Sequence, residues 1–196
     1  MFVLVAGVVV LGATVFSHGG YGNGYGPGMM GGGITAQGQA GATTSPSEAS
    51  RLGQSAPSGA SVDPSANKVT FSGASVDLTV LAAPSDGLDE TFRVAGLTNP
   101  TIVVPEGVKV TLTLINADAG MAHNWLLTAA QPPFAAYLMM TGVAMNAATQ
   151  TLPETTSSVM PETTITFTAS AAGNYTYLCS VPGHAQKGMD GSFEVL

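Results

Sequence analysis

The stretch AGNYTYLCSVPGHAQKGMDGSFE, residues 172–194, places Cys179, His184 and Met189 at a C-x4-H-x4-M spacing on one loop. Two β-rich runs, Gly173–Cys179 and Gly191–Leu196, enter and leave that loop. A copper ion that cycles between Cu(II) and Cu(I) favours one soft thiolate, two imidazoles and a weak axial thioether. Three of these four donors fall within eleven residues, and one imidazole is missing. His123, in the string MAHNWLLT 56 residues before Cys179, supplies it from a separate expected strand. One ligand on a distant strand and three on a single loop make a site shaped by the fold rather than by the metal.

Each of these residues also has a plainer reading. A lone cysteine is most often a small buried hydrophobe, a histidine before a tryptophan is most often a surface or core residue, and a single methionine is most often core. The chain holds one Cys and three His in all, so their meeting in one pattern, flanked by Gly-Asn-Tyr-Thr-Tyr and Gly-Met-Asp-Gly, favours a metal site over coincidence. One cysteine also excludes an internal disulfide. Met121 is the next candidate for the axial thioether after Met189.

Outward from this loop the chain reads as short strands from about Asn67 onward. Val69–Val80 is β-branched with partial alternation, and Phe92–Val94 is a short candidate. Thr101–Asn116 carries a Pro-Glu-Gly turn between two β-rich runs, the second alternating at Val108, Val110, Leu112 and Leu114. Ala122–Thr128 and Glu162–Ala169 complete the set. Many short strands separated by turn residues predict an all-β Greek-key sandwich over residues 67–196. Pro133–Asn146 (PFAAYLMMTGVAMN) has no β alternation and is expected to be a short helical insertion, its methionines packing as plastic core or forming a docking surface.

The string Gly173–Gly191 resembles the C-terminal signature of the cupredoxins, in which a Gly-x-Tyr-x-Tyr-x-Cys strand leads into the ligand loop. The loop spacing and the Gly-Met-x-Gly ending are most similar to the acid-stable members, the archaeal sulfocyanins and then the rusticyanins. The resemblance covers about Asn67 to Leu196 and is strongest in the last twenty-five residues. It implies an eight-stranded sandwich or a close variant, holding one type 1 copper. It also implies that Asn124, next to His123, ties the two ligand segments together near the thiolate, a role that orients ligands and tunes the metal. Met121, Trp125, Pro182 and Ala185 are the apolar residues nearest the ligands in sequence. Such a shell disfavours the more highly charged Cu(II) form.

The N-terminal third reads differently. Met1–Phe16 (MFVLVAGVVVLGATVF) carries no charge. As a helix it would span roughly 24 Å, short of the ~30 Å hydrocarbon core, and it lacks the basic residues that usually precede a signal core. It is expected to be a membrane anchor or a signal. Residues 17–66, Gly/Tyr-rich and then Ala/Ser/Thr/Gly/Gln/Pro-rich, show no apolar periodicity and are expected to be a flexible linker. His18, Met29 and Met30 lie there and are read as linker residues.

Charged residues make up 9% of the chain, and five Lys/Arg against twelve Asp/Glu leave a formal charge of −7. A basic footprint for nucleic acid is missing. In strong acid, with carboxylates neutral, few positive charges would remain to repel one another. An acidic environment and a compositional bias toward Ala, Gly and Thr both account for this pattern.

Four protein ligands leave no open coordination position for a substrate, which favours electron transfer over catalysis. A multicopper oxidase or copper nitrite reductase needs several more histidines than the one that remains, His18. Copper storage or delivery is the other alternative. The resemblance implies redox partners in a respiratory chain, such as a membrane terminal oxidase or a cytochrome or Rieske donor, with Fe(II) as a further donor. With the N-terminal segment it implies a place outside the cytoplasm, on the outer face of the cell membrane.

Overall fold

The structure, a computed structural model, describes residues 41–138, 141–156 and 158–196. The expected anchor Met1–Phe16 and the linker up to residue 40 lie outside the described residues. Among the described residues, no helix is long and apolar enough to cross a membrane.

Alternation makes the strands. In Lys109–Asn116 (β8), Val110, Leu112 and Leu114 are fully buried while Thr111 and Thr113 between them are not. The same alternation in Ser75–Ala82 (β4) buries Val76, Leu78 and Val80, and in Met160–Thr168 (β10) it buries Ile165 and Phe167. These strands form one sheet with Ala42–Thr44 (β1), Phe92–Val94 (β5) and Leu97–Thr98 (β6), in the order β1-β10-β8-β4-β5-β6. The second sheet runs Ala60–Asp63 (β2), Lys68–Phe71 (β3), Thr101–Val104 (β7), Asp190–Val195 (β12), Gly173–Leu178 (β11) and Leu126–Thr128 (β9). The parallel pairs β4–β8, β3–β7 and β7–β12 record the crossovers between sheets. The all-β sandwich is as expected, with two six-stranded sheets among the described residues.

One expected strand is divided between the sheets. Val69–Val80 breaks at residues 72–74, and its halves belong to β3 in one sheet and β4 in the other. The Pro105-Glu106-Gly107 turn likewise carries the chain from β7 to β8 across the sandwich. Gly107 takes φ +79 there, and its N–H donates to the Ala169 carbonyl at 2.7 Å.

The inner faces enclose one core in which Trp125 stacks on Tyr177 and Phe167, with ring centroids 6.0 and 6.2 Å away. Trp125 is therefore a central packing residue. The buried Tyr177 hydroxyl donates to the Pro100 carbonyl at 2.7 Å. A Cβ at Gly191, opposite Tyr177 on β12, would collide with that phenol ring, so the strand that follows the ligand loop needs glycine there.

Among its described residues, the 133–146 insertion contains a 3-10 turn, Ala144–Asn146, and no longer helix. Its Phe134, Leu138 and Val143 pack on Leu126, Ala148, Leu178 and Ala185. Leu126 and Leu178 alternate with the core residues Leu127 and Tyr177, so the insertion covers the other face of the β9–β11 pair.

The linker expectation fails for residues 41–66. β1 pairs with β10 and β2 with β3, and Pro46–Gln54 forms the helix α1. The helix opens with Ser45, whose Oγ accepts from the Glu48 N–H at 3.3 Å, and with proline in its first turn. Its buried residues are Ala49 and Gly53, and Ala49 clusters with Leu81, Ile115 and Ala117. Gly53 sits so close to Leu81 that a side chain at that position would crowd it. A helix that docks through Ala and Gly shows no apolar stripe, and the composition therefore reads as linker.

Limited proteolysis checks the corrected boundary: the resistant fragment of the folded protein should retain β1, α1 and β2 rather than begin at Asn67. A fragment trimmed to Asn67 should melt several degrees lower than one that retains them, because it exposes the Leu81–Ile115 face and removes two sheet-edge strands. Equal melting temperatures for the two fragments would show that α1 adds no stability.

Candidate metal centre

β11 delivers Cys179 at its C-terminal end, the loop that follows carries His184, and Met189 precedes β12. The loop is closed on itself: the Cys179 N–H donates to the Met189 carbonyl at 3.1 Å, and the Met189 N–H to the His184 carbonyl at 3.0 Å. Between them a 3-10 turn, Ala185–Lys187, ends at Gly188 with φ +101, a conformation that favours glycine. On the other segment His123 precedes β9 and exchanges backbone hydrogen bonds with Leu152 at 3.1 and 2.8 Å.

These elements bring three donors together. Cys179 Sγ lies 3.8 Å from His123 Nδ1 and 3.5 Å from His184 Nδ1, and the two Nδ1 atoms are 3.2 Å apart. A point equidistant from all three lies about 2.0 Å from each, close to ordinary metal–imidazole and metal–thiolate lengths. Cys179, His123 and His184 are all buried, His184 being 4% exposed. A buried triangle of two imidazoles and one thiolate, of this size, fits a single copper ion. Met189 is fully buried and Met121 is 37% exposed.

The sequence matches the family of copper binding proteins, plastocyanin/azurin family, over residues 97–196. The chain belongs to this family. It is 32% identical over 131 residues to a rusticyanin of Acidithiobacillus ferrooxidans, covering 67% of this chain and 83% of that protein. It is 35% identical over 92 residues to auracyanin-A of Chloroflexus aurantiacus, covering 42% of this chain and 57% of that one. A solved structure of rusticyanin from Thiobacillus ferrooxidans superposes with a TM-score of 0.71 at 27% identity, covering 84% of this chain and all of that one. As a cupredoxin with a His–Cys–His cluster, the protein is a blue copper electron-transfer protein and not an enzyme.

The surroundings of the cupredoxin site are built from both ligand segments. Asn124 Oδ1 accepts from the Ser180 N–H at 2.7 Å, and its Nδ2 donates to Ser180 Oγ at 2.8 Å and to Thr151 Oγ1 at 3.3 Å. One side chain thus joins the His123 segment to the residue after Cys179. Burial pushes the Cys179 thiol up to about 11, against a partial opposing effect of the Asn124 and Val181 N–H groups. Without metal the sulfur therefore keeps its proton at neutral pH, and a copper ion bound there would displace it. His184 is held below its ordinary value, first by burial and then by neighbouring His123.

Two carboxylates at the site were not singled out in the sequence. Asp118 Oδ2 lies 2.9 Å from His123 Nε2, the nitrogen facing away from the cluster. Burial pushes the Asp118 carboxyl up, but hydrogen bonds from His123, Gly120 and Met121 outweigh it and hold it below its ordinary value. Glu90, buried in the loop between β4 and β5, reaches the ligand loop at Lys187 and His184. The available signal for Asp118 was its place five residues before His123. For Glu90, 94 residues before His184, local sequence offered none.

Because the Asn124 side chain joins Ser180, the neighbour of Cys179, to the His123 segment, Asn124→Ala should weaken copper retention about 10–100-fold while leaving the protein folded. Competition with a copper chelator measures this, and unaltered retention would remove Asn124 from the site's support.

Proposed function

We propose that His123 Nδ1, Cys179 Sγ and His184 Nδ1 would hold the copper, with Met189 supplying a weak thioether as the fourth ligand. The protein would then pass single electrons between respiratory-chain components. The observation that carries this reading is the buried donor triangle with edges of 3.2, 3.5 and 3.8 Å. Bound copper would supply the one-electron Cu(II)/Cu(I) couple. The chain's own residues keep the donors in place: Asn124 ties the segments, the Met189 carbonyl holds the Cys179 N–H, and Trp125 and Leu127 pack beneath. The full burial of Met189 supports it over Met121 as the axial thioether.

The resemblance to sulfocyanins and rusticyanins supports a membrane terminal oxidase as acceptor and a cytochrome, a Rieske protein or Fe(II) as donor. The charge-free segment Met1–Phe16 supports attachment to the outer face of the membrane. The low count of basic residues supports an acidic surrounding.

Two substitutions test the ligands. Copper-loaded protein should show an intense visible band that Cys179→Ser abolishes. Met189→Gln should stay copper-bound but have a lower midpoint potential, because a harder oxygen donor favours Cu(II). A Cys179→Ser protein that remains intensely blue would overturn the assignment, and an unchanged potential in Met189→Gln would move the axial role to Met121.

The acid reading has its own test. Protonation of His184 in the reduced protein would favour Cu(I) and raise the potential as pH falls. Burial lowers the pKa of this imidazole, so the rise should begin well below its ordinary range near 6.5. We expect a midpoint potential nearly flat from neutral pH to about pH 3. A voltammetric titration that climbs steeply from pH 6 would rule the acid reading out.

A further inference from the structure

Glu90 is the one carboxylate of the β4–β5 loop that is buried, at 6% exposed, beside two exposed aspartates, Asp86 and Asp89. Its backbone takes φ 54, a left-handed conformation that is costly for a residue with a side chain. The loop is pinned around it: Asp86 accepts from Arg93, and the Thr91 hydroxyl donates to the Leu88 carbonyl at 2.7 Å. Burial of a carboxylate on strained backbone is unfavourable unless specific partners offset it. Its partners are both on the ligand loop. Lys187 Nζ donates to Glu90 Oε1 at 2.6 Å, and the same oxygen lies 4.0 Å from His184 Nε2. Nε2 is the ring nitrogen turned away from the donor triangle, since Nδ1 faces Cys179 and His123.

We propose that Glu90 is a positioning residue for the copper site. It anchors the ligand loop through Lys187 and presents a negative charge to the outer nitrogen of His184, fixing that imidazole as the Nε2–H tautomer with the Nδ1 lone pair directed inward. The 4.0 Å separation is beyond hydrogen-bond reach. Glu90 therefore acts on the ring as a nearby charge in a buried place, where such fields are weakly screened. Asp118 stands behind His123 Nε2 at 2.9 Å, so each ligand imidazole has a carboxylate at its outer edge. The two differ in origin. Asp118 belongs to the His123 segment itself, whereas Glu90 comes from a loop of the opposite sheet and couples that loop to the ligand turn.

A charge at this place also acts on the redox couple. The Glu90 carboxylate favours the more positive Cu(II) form, and the Lys187 ammonium, on the solvent side of the pair, opposes it. This part of the inference rests on the copper reading above, whereas the tautomer does not. Glu90→Gln keeps the size and hydrogen-bonding capacity of the side chain and removes its charge. Lys187→Met removes the opposing charge.

Three measurements test this. In copper-free protein, the ring 15N shifts of His184 should report the Nε2–H tautomer, and Glu90→Gln should give a mixture of tautomers. In copper-loaded protein, Glu90→Gln should shift the electron-exchange equilibrium toward Cu(I) by about tenfold, which is 59 mV for a one-electron couple. Lys187→Met should shift it in the opposite direction. A purely structural pair would lower the melting temperature in both variants without opposite shifts of potential. Identical ring shifts and an unmoved potential in Glu90→Gln would overturn the proposal. If the unsubstituted protein takes up no copper, the copper reading fails, and the ring shifts alone decide the role of Glu90.

Discussion

The Asn124–Ser180 contact is the constraint on which the site depends. Its 2.7 Å bond to the Ser180 N–H and its 2.8 Å bond to the Ser180 hydroxyl join two segments that meet across the antiparallel β9–β11 pair. Leu126–Leu178 and Leu127–Tyr177 set the register of that pair. Once it is fixed, His123 three residues before β9 and Cys179 one residue after β11 have to lie together at the same end of the sheet. The core beneath, with Trp125 stacked on Tyr177 and Phe167, holds the register because a slip by one residue would turn these rings outward. A donor triangle held in this way is shaped by the strands and their core. That suits electron transfer, since the geometry has little freedom to relax when the metal's charge changes.

Opposing influences meet at this triangle. The site is buried among apolar residues, which disfavours charge, and the same burial pushes the Cys179 thiol up to about 11 and His184 down. Against this stand two carboxylates at the outer edges of the imidazoles and the Asn124 and Val181 N–H groups at the sulfur. The N–H groups stabilise a thiolate, and the carboxylates orient neutral imidazoles. Both favour the ligand forms that bind metal, in a place whose dielectric alone would favour the protonated thiol.

Much of this was legible in the sequence where chemistry and period coincide. The alternation of Val110, Leu112 and Leu114 marks β8, and the spacing of Cys179, His184 and Met189 marks the ligand loop, because both patterns act over a few residues. The partition of strands between sheets was not legible. Val69–Val80 reads as one run because its division at 72–74 follows from where each half finds a partner, β7 or β8, at long range. The 41–66 region misled for a different reason. Its contacts use Ala49, Gly53 and edge pairing to β10 and β3, and small residues and backbone hydrogen bonds leave almost no trace in hydropathy. Glu90 was invisible for the same reason of distance, its significance lying in a contact 97 residues away with Lys187.

The distribution of charge indicates where acid acts on this fold. The Lys/Arg–carboxylate pairs away from the site, Arg51–Glu48, Lys68–Glu194 and Arg93–Asp86, all have at least one exposed partner, and such pairs contribute little. Asp86 and Glu48 are held below their ordinary values by Arg93 and Arg51, so what they do contribute is present near neutrality and fades only as pH falls below the usual carboxylate range. Among the described residues, none of the ion pairs involves a member of the main hydrophobic core. The buried carboxylate contacts lie instead at the metal centre, where Asp118, held below its ordinary value, meets His123 and Glu90 meets Lys187. Burial lowers the pKa of His184, so its neutral form persists to lower pH, and a copper ion held at Nδ1 would extend that persistence by competing with the proton.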